Sequence, residues 1–141
     1  MTTRSKAEDL TNGLKNEVVC KPLFENHFKE KLTKHPNPYW AMDFFNEPRT
    51  FWLEVKERNV AHDQFPTAII SKHKIDFCRG NKEATHYFAW KYRDGIYYIK
   101  FEEEVWATFE CRDYKRFDRV DDVQRESLHY FIPCELLRKM E

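Results

Sequence analysis

The chain has 141 residues, and its 24 Lys and Arg balance 24 Asp and Glu to a formal net charge of zero. That length suits one domain with one real core, and balanced charge argues against a protein that coats nucleic acid by bulk electrostatics. Aromatic residues make up 16% of the chain and glycine contributes only 3 positions, which excludes a disordered or low-complexity polymer.

Residues 1–16 are polar, with Thr2, Thr3, Ser5, Asn12 and Gly13, and are expected to form a loosely held arm before a single domain at 17–141. Pro22 fits the first turn of a helix, and Leu23, Phe24, His27, Phe28, Lys31 and Leu32 recur at helical spacing to about Lys34. Pro36 and Pro38 then stop it. Tyr39 to Phe45 is apolar around one charge, Asp43, and reads as a strand. Glu47-Pro48-Arg49 is a turn, and Thr50 to Val55 is a strand dense in β-formers.

Asp63 to Arg79 carries Ala68, Ser71, Ile75 and Cys78 on one stripe and reads as a second helix stopped by Gly80. Thr85 to Tyr92 and Ile96 to Phe101 flank Asp94-Gly95, a hairpin signal. Glu102 to Glu126 looks irregular and highly charged. Leu128 to Ile132 reads as a last short strand, and Glu135 to Met140 as a closing helical turn. The order predicts an α/β layer with helices packed on one sheet.

Cys20, Cys78, Cys111 and Cys134 form no CxxC pair, and neither they nor the 6 His fall at metal-ligand spacing. They read as reduced thiols in a cytosol- or nucleus-like compartment, with no sign of secretion. No apolar run approaches the roughly 20 residues that span a bilayer, so no membrane association is expected.

Chemistry concentrates in Asp43 and in Glu54-Val55-Lys56. Residues two apart on a strand share a face, so Glu54 and Lys56 project together while Leu53 and Val55 point the other way. If Asp43 lies on the preceding antiparallel strand, the turn at Glu47–Arg49 brings it alongside Glu54. Two converging carboxylates raise each other's pKa unless a cation lies between them. Mg²⁺ meets that need with hard oxygen ligands, Mn²⁺ substitutes for it, and the Val55 carbonyl offers a further oxygen. Lys56 is placed to orient water or offset charge at phosphorus. The competing reading is an exposed edge strand that carries Glu54 and Lys56 as a solvated pair.

Asp43, ten intervening residues, then Glu54-Val55-Lys56, with a helix before and a helix and hairpin after, resembles the PD-(D/E)XK nucleases. The layout is similar to archaeal Holliday-junction resolvases and small phage or viral endonucleases. Met42 stands where the motif has Pro. The resemblance implies a restriction-endonuclease-like αβββαβ core with a mixed central sheet flanked by helices. It implies Asp43, Glu54 and Lys56 as the catalytic trio of a metal-dependent DNA endonuclease, with branched DNA as one substrate and a homodimer as one assembly. It carries a helix acid over to Glu25, with Glu17 as the fallback, and substrate-binding cations to Lys74 and Lys72. Both lysines also read as ordinary surface residues.

Three other readings stay open. The same fold can serve as a non-catalytic nucleic-acid-binding or accessory protein. An RNA endonuclease of the cap-snatching kind would use a helix His, for which His27 stands. The Lys115–Arg125 segment, with Lys115, Arg116, Arg119 and Arg125, is a second candidate for phosphate contact.

Overall fold

The computed structural model describes residues 19–115 and 126–141, so the expected arm at 1–16 and fallback acid Glu17 lie outside it. Helix α1 (19–28) leads to two-residue strands β1 (Thr33–Lys34) and β2 (Phe44–Phe45), then to β3 (Phe51–Glu57) and β4 (Thr67–Ser71). Helix α2 (Lys72–Gly80) follows, then strands β5 (Thr85–Tyr92) and β6 (Gly95–Lys100) and short helix α3 (Glu103–Trp106). Strands β7 (Glu110–Lys115) and β8 (Glu126–Pro133), a 3-10 turn at Cys134–Leu136 and β9 (Arg138–Lys139) complete the chain.

The main sheet runs β1-β2-β3-β5-β6-β9, and a second sheet runs β4-β8-β7. Strands β3 and β5 pair in parallel, while β2 and β6 flank them antiparallel. The main sheet is therefore mixed. A parallel pair needs a crossover, and β4 with α2 supplies it. That crossover carries α2 onto one face of β3.

Strand β3 separates two apolar clusters because its side chains alternate. Phe51 and Leu53 point to α1 and pack with Phe24, Leu32 and Phe44. Trp52 points the other way and joins Phe45, Ile75, Cys78, Phe88, Trp90 and Trp106. Glu54 and Lys56 lie on the Trp52 face, beside Phe88 and Trp90 of β5. Glu54 and Lys56 thus face a packed interior, whereas Glu57 at the end of the strand is exposed.

Several boundaries depart from the sequence expectation. The first helix ends at residue 28, not near Lys34. Lys29 adopts a positive φ of 57°, and the Leu32 N–H is taken by the Glu25 carboxylate at 2.8 Å, which releases Thr33 and Lys34 to pair with β2. The strand expected at Tyr39–Phe45 shortens to Phe44–Phe45. Trp40 instead joins a turn, its N–H bonded to the Asn37 carbonyl and its ring stacked on His35 at 4.7 Å.

The helix expected from Asp63 to Arg79 is half strand. Residues Thr67–Ser71 alternate in burial and pair with β8, and helix begins only at Lys72. Gly80 is its last residue rather than the stop beyond it. The region from Glu102, expected to be irregular, forms α3 and β7, and the closing turn is a 3-10 turn followed by β9. The hairpin expected around Asp94-Gly95 forms, but Gly95 pairs with Tyr92 as the first residue of β6, so Arg93 and Asp94 make the turn.

Candidate active site

Asp43 lies one residue before β2, yet its N–H still bonds the Leu53 carbonyl at 3.1 Å. Continued across the hairpin, that register sets Asp43 opposite Glu54. One carboxylate oxygen, Oδ2, accepts the Val55 N–H at 2.8 Å, and Oδ1 meets Lys34 Nζ at 3.3 Å. On β3 the even residues bond β5: the Thr50 carbonyl accepts from Thr85, and Arg58 N–H donates to Lys91. The odd residues therefore turn their peptide groups to the β2 side. The Val55 carbonyl thus opens toward Asp43, where β2 has already ended.

Glu54 is only 2% exposed. Its Oε2 is held by Lys74 Nζ at 2.7 Å and Lys56 Nζ at 3.4 Å. Its Oε1 is buried with no hydrogen-bond donor among the described residues. Burial raises the Glu54 pKa to about 7, and the negative charge of Asp43 adds to the rise while Lys74 and Lys56 oppose it. Burial likewise lowers Lys56 to about 8, with Glu54 opposing and Lys74 adding to the fall. Opposed shifts in two adjacent groups held by burial and a specific charge partner are a mark of functional sites.

Lys74 reaches the site from the first turn of α2 and is buried, not a surface cation. Besides Glu54 it donates to the Ala41 carbonyl at 2.8 Å, tying the helix to the segment that carries Asp43. Lys72 behaves as the surface residue: it is exposed and pairs with Asp76 four residues on, at 2.9 Å. The two lysines read together from sequence thus separate, because residues two apart on a helix face different directions.

The structure does not bring Glu25 to the carboxylates. Its Oε2 is occupied by the Leu32 amide, on the end of β1 that leads past Phe45 and away from Asp43. His27 lies against Phe28 and Tyr98, on the α1 face of the sheet and opposite Glu54. The helix His of the RNA-cleaving reading is therefore not at the site. Of the Lys115–Arg125 segment, residues 116–125 and the Lys115 side chain lie outside the described residues.

Sequence reasoning missed Lys34 and His73. Lys34 fell inside an expected helix, so its placement beside Asp43 had no local signal. His73 follows Lys72 on α2, bonds Ser71 Oγ through Nδ1 at 3.1 Å, and has its pKa lowered by burial first and then by Lys74.

The donor set fits a divalent cation. A buried carboxylate oxygen without a donor, beside a second carboxylate and a backbone carbonyl, offers the hard oxygens such an ion takes.

No curated protein matches the chain. Among solved structures, Hjc of Archaeoglobus fulgidus, a Holliday junction resolvase from an archaeal hyperthermophile, is similar at 18% identity. The match covers 82% of this chain and 88% of that one, with a TM-score of 0.42. The family model described as "Phage putative PDDEXK endonuclease" matches residues 2–140. With nearly its whole length matched, the chain belongs to this phage PDDEXK endonuclease family.

Proposed function

We propose that this protein is a divalent-metal-dependent DNA endonuclease in which Asp43, Glu54 and the Val55 carbonyl hold the ion and Lys56 serves the reacting phosphate. The observation that carries this reading is Glu54 Oε1, buried beside Asp43 with no donor among the described residues. An acceptor left this way costs roughly 1–3 kcal/mol, and a cation removes that cost. Mg²⁺ or Mn²⁺, once bound, supplies the charge that polarises a phosphate oxygen and makes water acidic enough to attack.

The chain's own residues do the positioning. The Val55 N–H fixes the Asp43 carboxylate against β3. Lys74 holds Glu54 Oε2 in place and leaves Oε1 free to ligate. Lys56 shares the face of Glu54 and is half-buried. Its ammonium can hydrogen-bond the attacking water or the phosphate oxygens as charge develops. Burial keeps this lysine close to neutrality in pH, so it can also pass a proton.

A digest of linear duplex, branched DNA and RNA with Mg²⁺, and again with excess chelator, tests the reading. Metal-dependent cutting of DNA is the expected result, and full activity in chelator overturns it. One observation favours a second reading, an accessory protein on the same fold. Lys56 and Lys74 already balance Glu54 without any metal. Absence of metal binding by calorimetry would move the assignment there.

A further inference from the structure

A cleft of about 380 Å³ opens beyond the catalytic end of β3. Arg58, Phe65, Trp90, Tyr92, Tyr114 and Phe131 line it. Its position follows from register: Trp90 is the direct neighbour of Lys56 on β5, and Arg58 continues the Lys56 face two residues on. The cleft therefore begins where the carboxylate and lysine group ends.

Its chemistry is aromatic with placed polar groups. Tyr114 is 37% exposed and Phe65 is 57% exposed, so both present ring surface to an incoming molecule. Tyr114 also stands at 5.3 Å from the His129 ring and 6.4 Å from Phe131. Trp90 is fully buried, yet its Nε1–H has no acceptor among the described residues. With no accessible surface, Trp90 backs the cleft, and contact with an occupant falls to the exposed rings. Exposed flat rings and an arginine match a heterocycle with an attached phosphate.

We propose that this cleft receives one nucleobase drawn out of the stack of the DNA strand being cut. The preferred substrate then carries an unpaired or easily unpaired nucleotide beside the scissile phosphate. A base inside an intact duplex cannot enter a cleft of this size, so it must leave the stack, and the cost is least where pairing is already absent. Arg58 meets the phosphate of the extracted nucleotide, and Tyr114 and Phe65 stack on the base. This inference rests on the nuclease reading above.

The test compares a duplex bearing a one-nucleotide 2-aminopurine bulge with the fully paired duplex. Binding is read by anisotropy with Ca²⁺ in place of Mg²⁺, so no cleavage is required. The wild type is expected to bind the bulged duplex about tenfold more tightly, the scale of a base–aromatic stack. Tyr114→Ala and Phe65→Ala should erase that preference while leaving affinity for the paired duplex unchanged; both residues are exposed, so the fold tolerates the changes. Equal wild-type binding to the two duplexes overturns the proposal, as does an equal loss on both in the variants. Cleavage is scored separately in Mg²⁺. Cutting without bulge preference removes the cleft assignment and keeps the nuclease, whereas bulge preference without cutting keeps the cleft and removes the nuclease.

Discussion

The two faces of β3 are built on opposite principles. Toward α1, Phe51 and Leu53 enter an apolar cluster with Cys20, Phe24, Leu32, Phe44 and Ala89. On the other face, Glu54 and Lys56 stand between Trp52 and the rings of β5, with Lys74 brought in from α2. The first face gains stability from apolar area removed from water. The second holds charges whose desolvation opposes folding and whose pairing only partly offsets it. One strand thus anchors the fold with its odd residues and holds the buried charges with its even ones.

Breaking the ionic face should show first in activity. Asp43→Ala and Lys56→Ala are each expected to lower cleavage by about 10³-fold, the scale of losing an electrostatic group in a preorganised site. Supercoiled plasmid nicking under Mg²⁺ measures it, and retained activity in Lys56→Ala returns that lysine to the role of solvated partner. Breaking the apolar face should show in stability. Phe24 is fully buried, so Phe24→Ala should cost about 3–5 kcal/mol in urea unfolding.

Lys74→Met tests whether the ionic face is also structural. Removing this partner leaves Glu54 buried with Lys56 alone, and a loss of about 3 kcal/mol at pH 8 is expected. The loss should shrink as pH falls and Glu54 takes up a proton.

Metal removal sharpens the comparison through pH. The Glu54 pKa is raised from 4.5 to about 7. Its contribution to the metal-free fold is therefore fully present below 4.5 and lost as pH rises through 7. Lys56 is lowered from 10.5 to about 8, so its contribution is present above 10.5 and lost as pH falls through 8. Between about 7 and 8 both groups are charged and the metal-free site is least favourable. Mg²⁺ should therefore raise Tm more at pH 8 than below pH 5, and bind there with less proton release. An equal Tm gain at both values would place the ion away from Glu54.

The smallest effect is expected at Lys72. Lys72→Gln removes an exposed pair with Asp76 and should change stability by less than about 0.5 kcal/mol. A loss comparable to that of Lys74→Met would erase the distinction between the two lysines.

The sequence alone determined the parts that depend on local periodicity. Strand alternation set Glu54 and Lys56 on one face with Leu53 and Val55 on the other, and Asp94-Gly95 marked the hairpin. Asp43 was legible as the isolated acid of the preceding segment. Only tertiary structure decided the rest. The stripe Ala68, Ser71, Ile75 and Cys78 satisfies helical spacing, but β8 claims Thr67–Ser71 as a strand, and a partner 58 to 66 residues away leaves no local trace. Lys74 is buried because the β4–α2 crossover lays the helix over Glu54, whereas in the sequence Lys72 and Lys74 read alike as surface residues. Glu25 caps β1 instead of reaching the site because Lys29 turns the chain at a positive φ. Local pattern states which side chains share a face. Long-range packing states what that face meets, and so which charges are buried, which are paired and which oxygen is left without a donor.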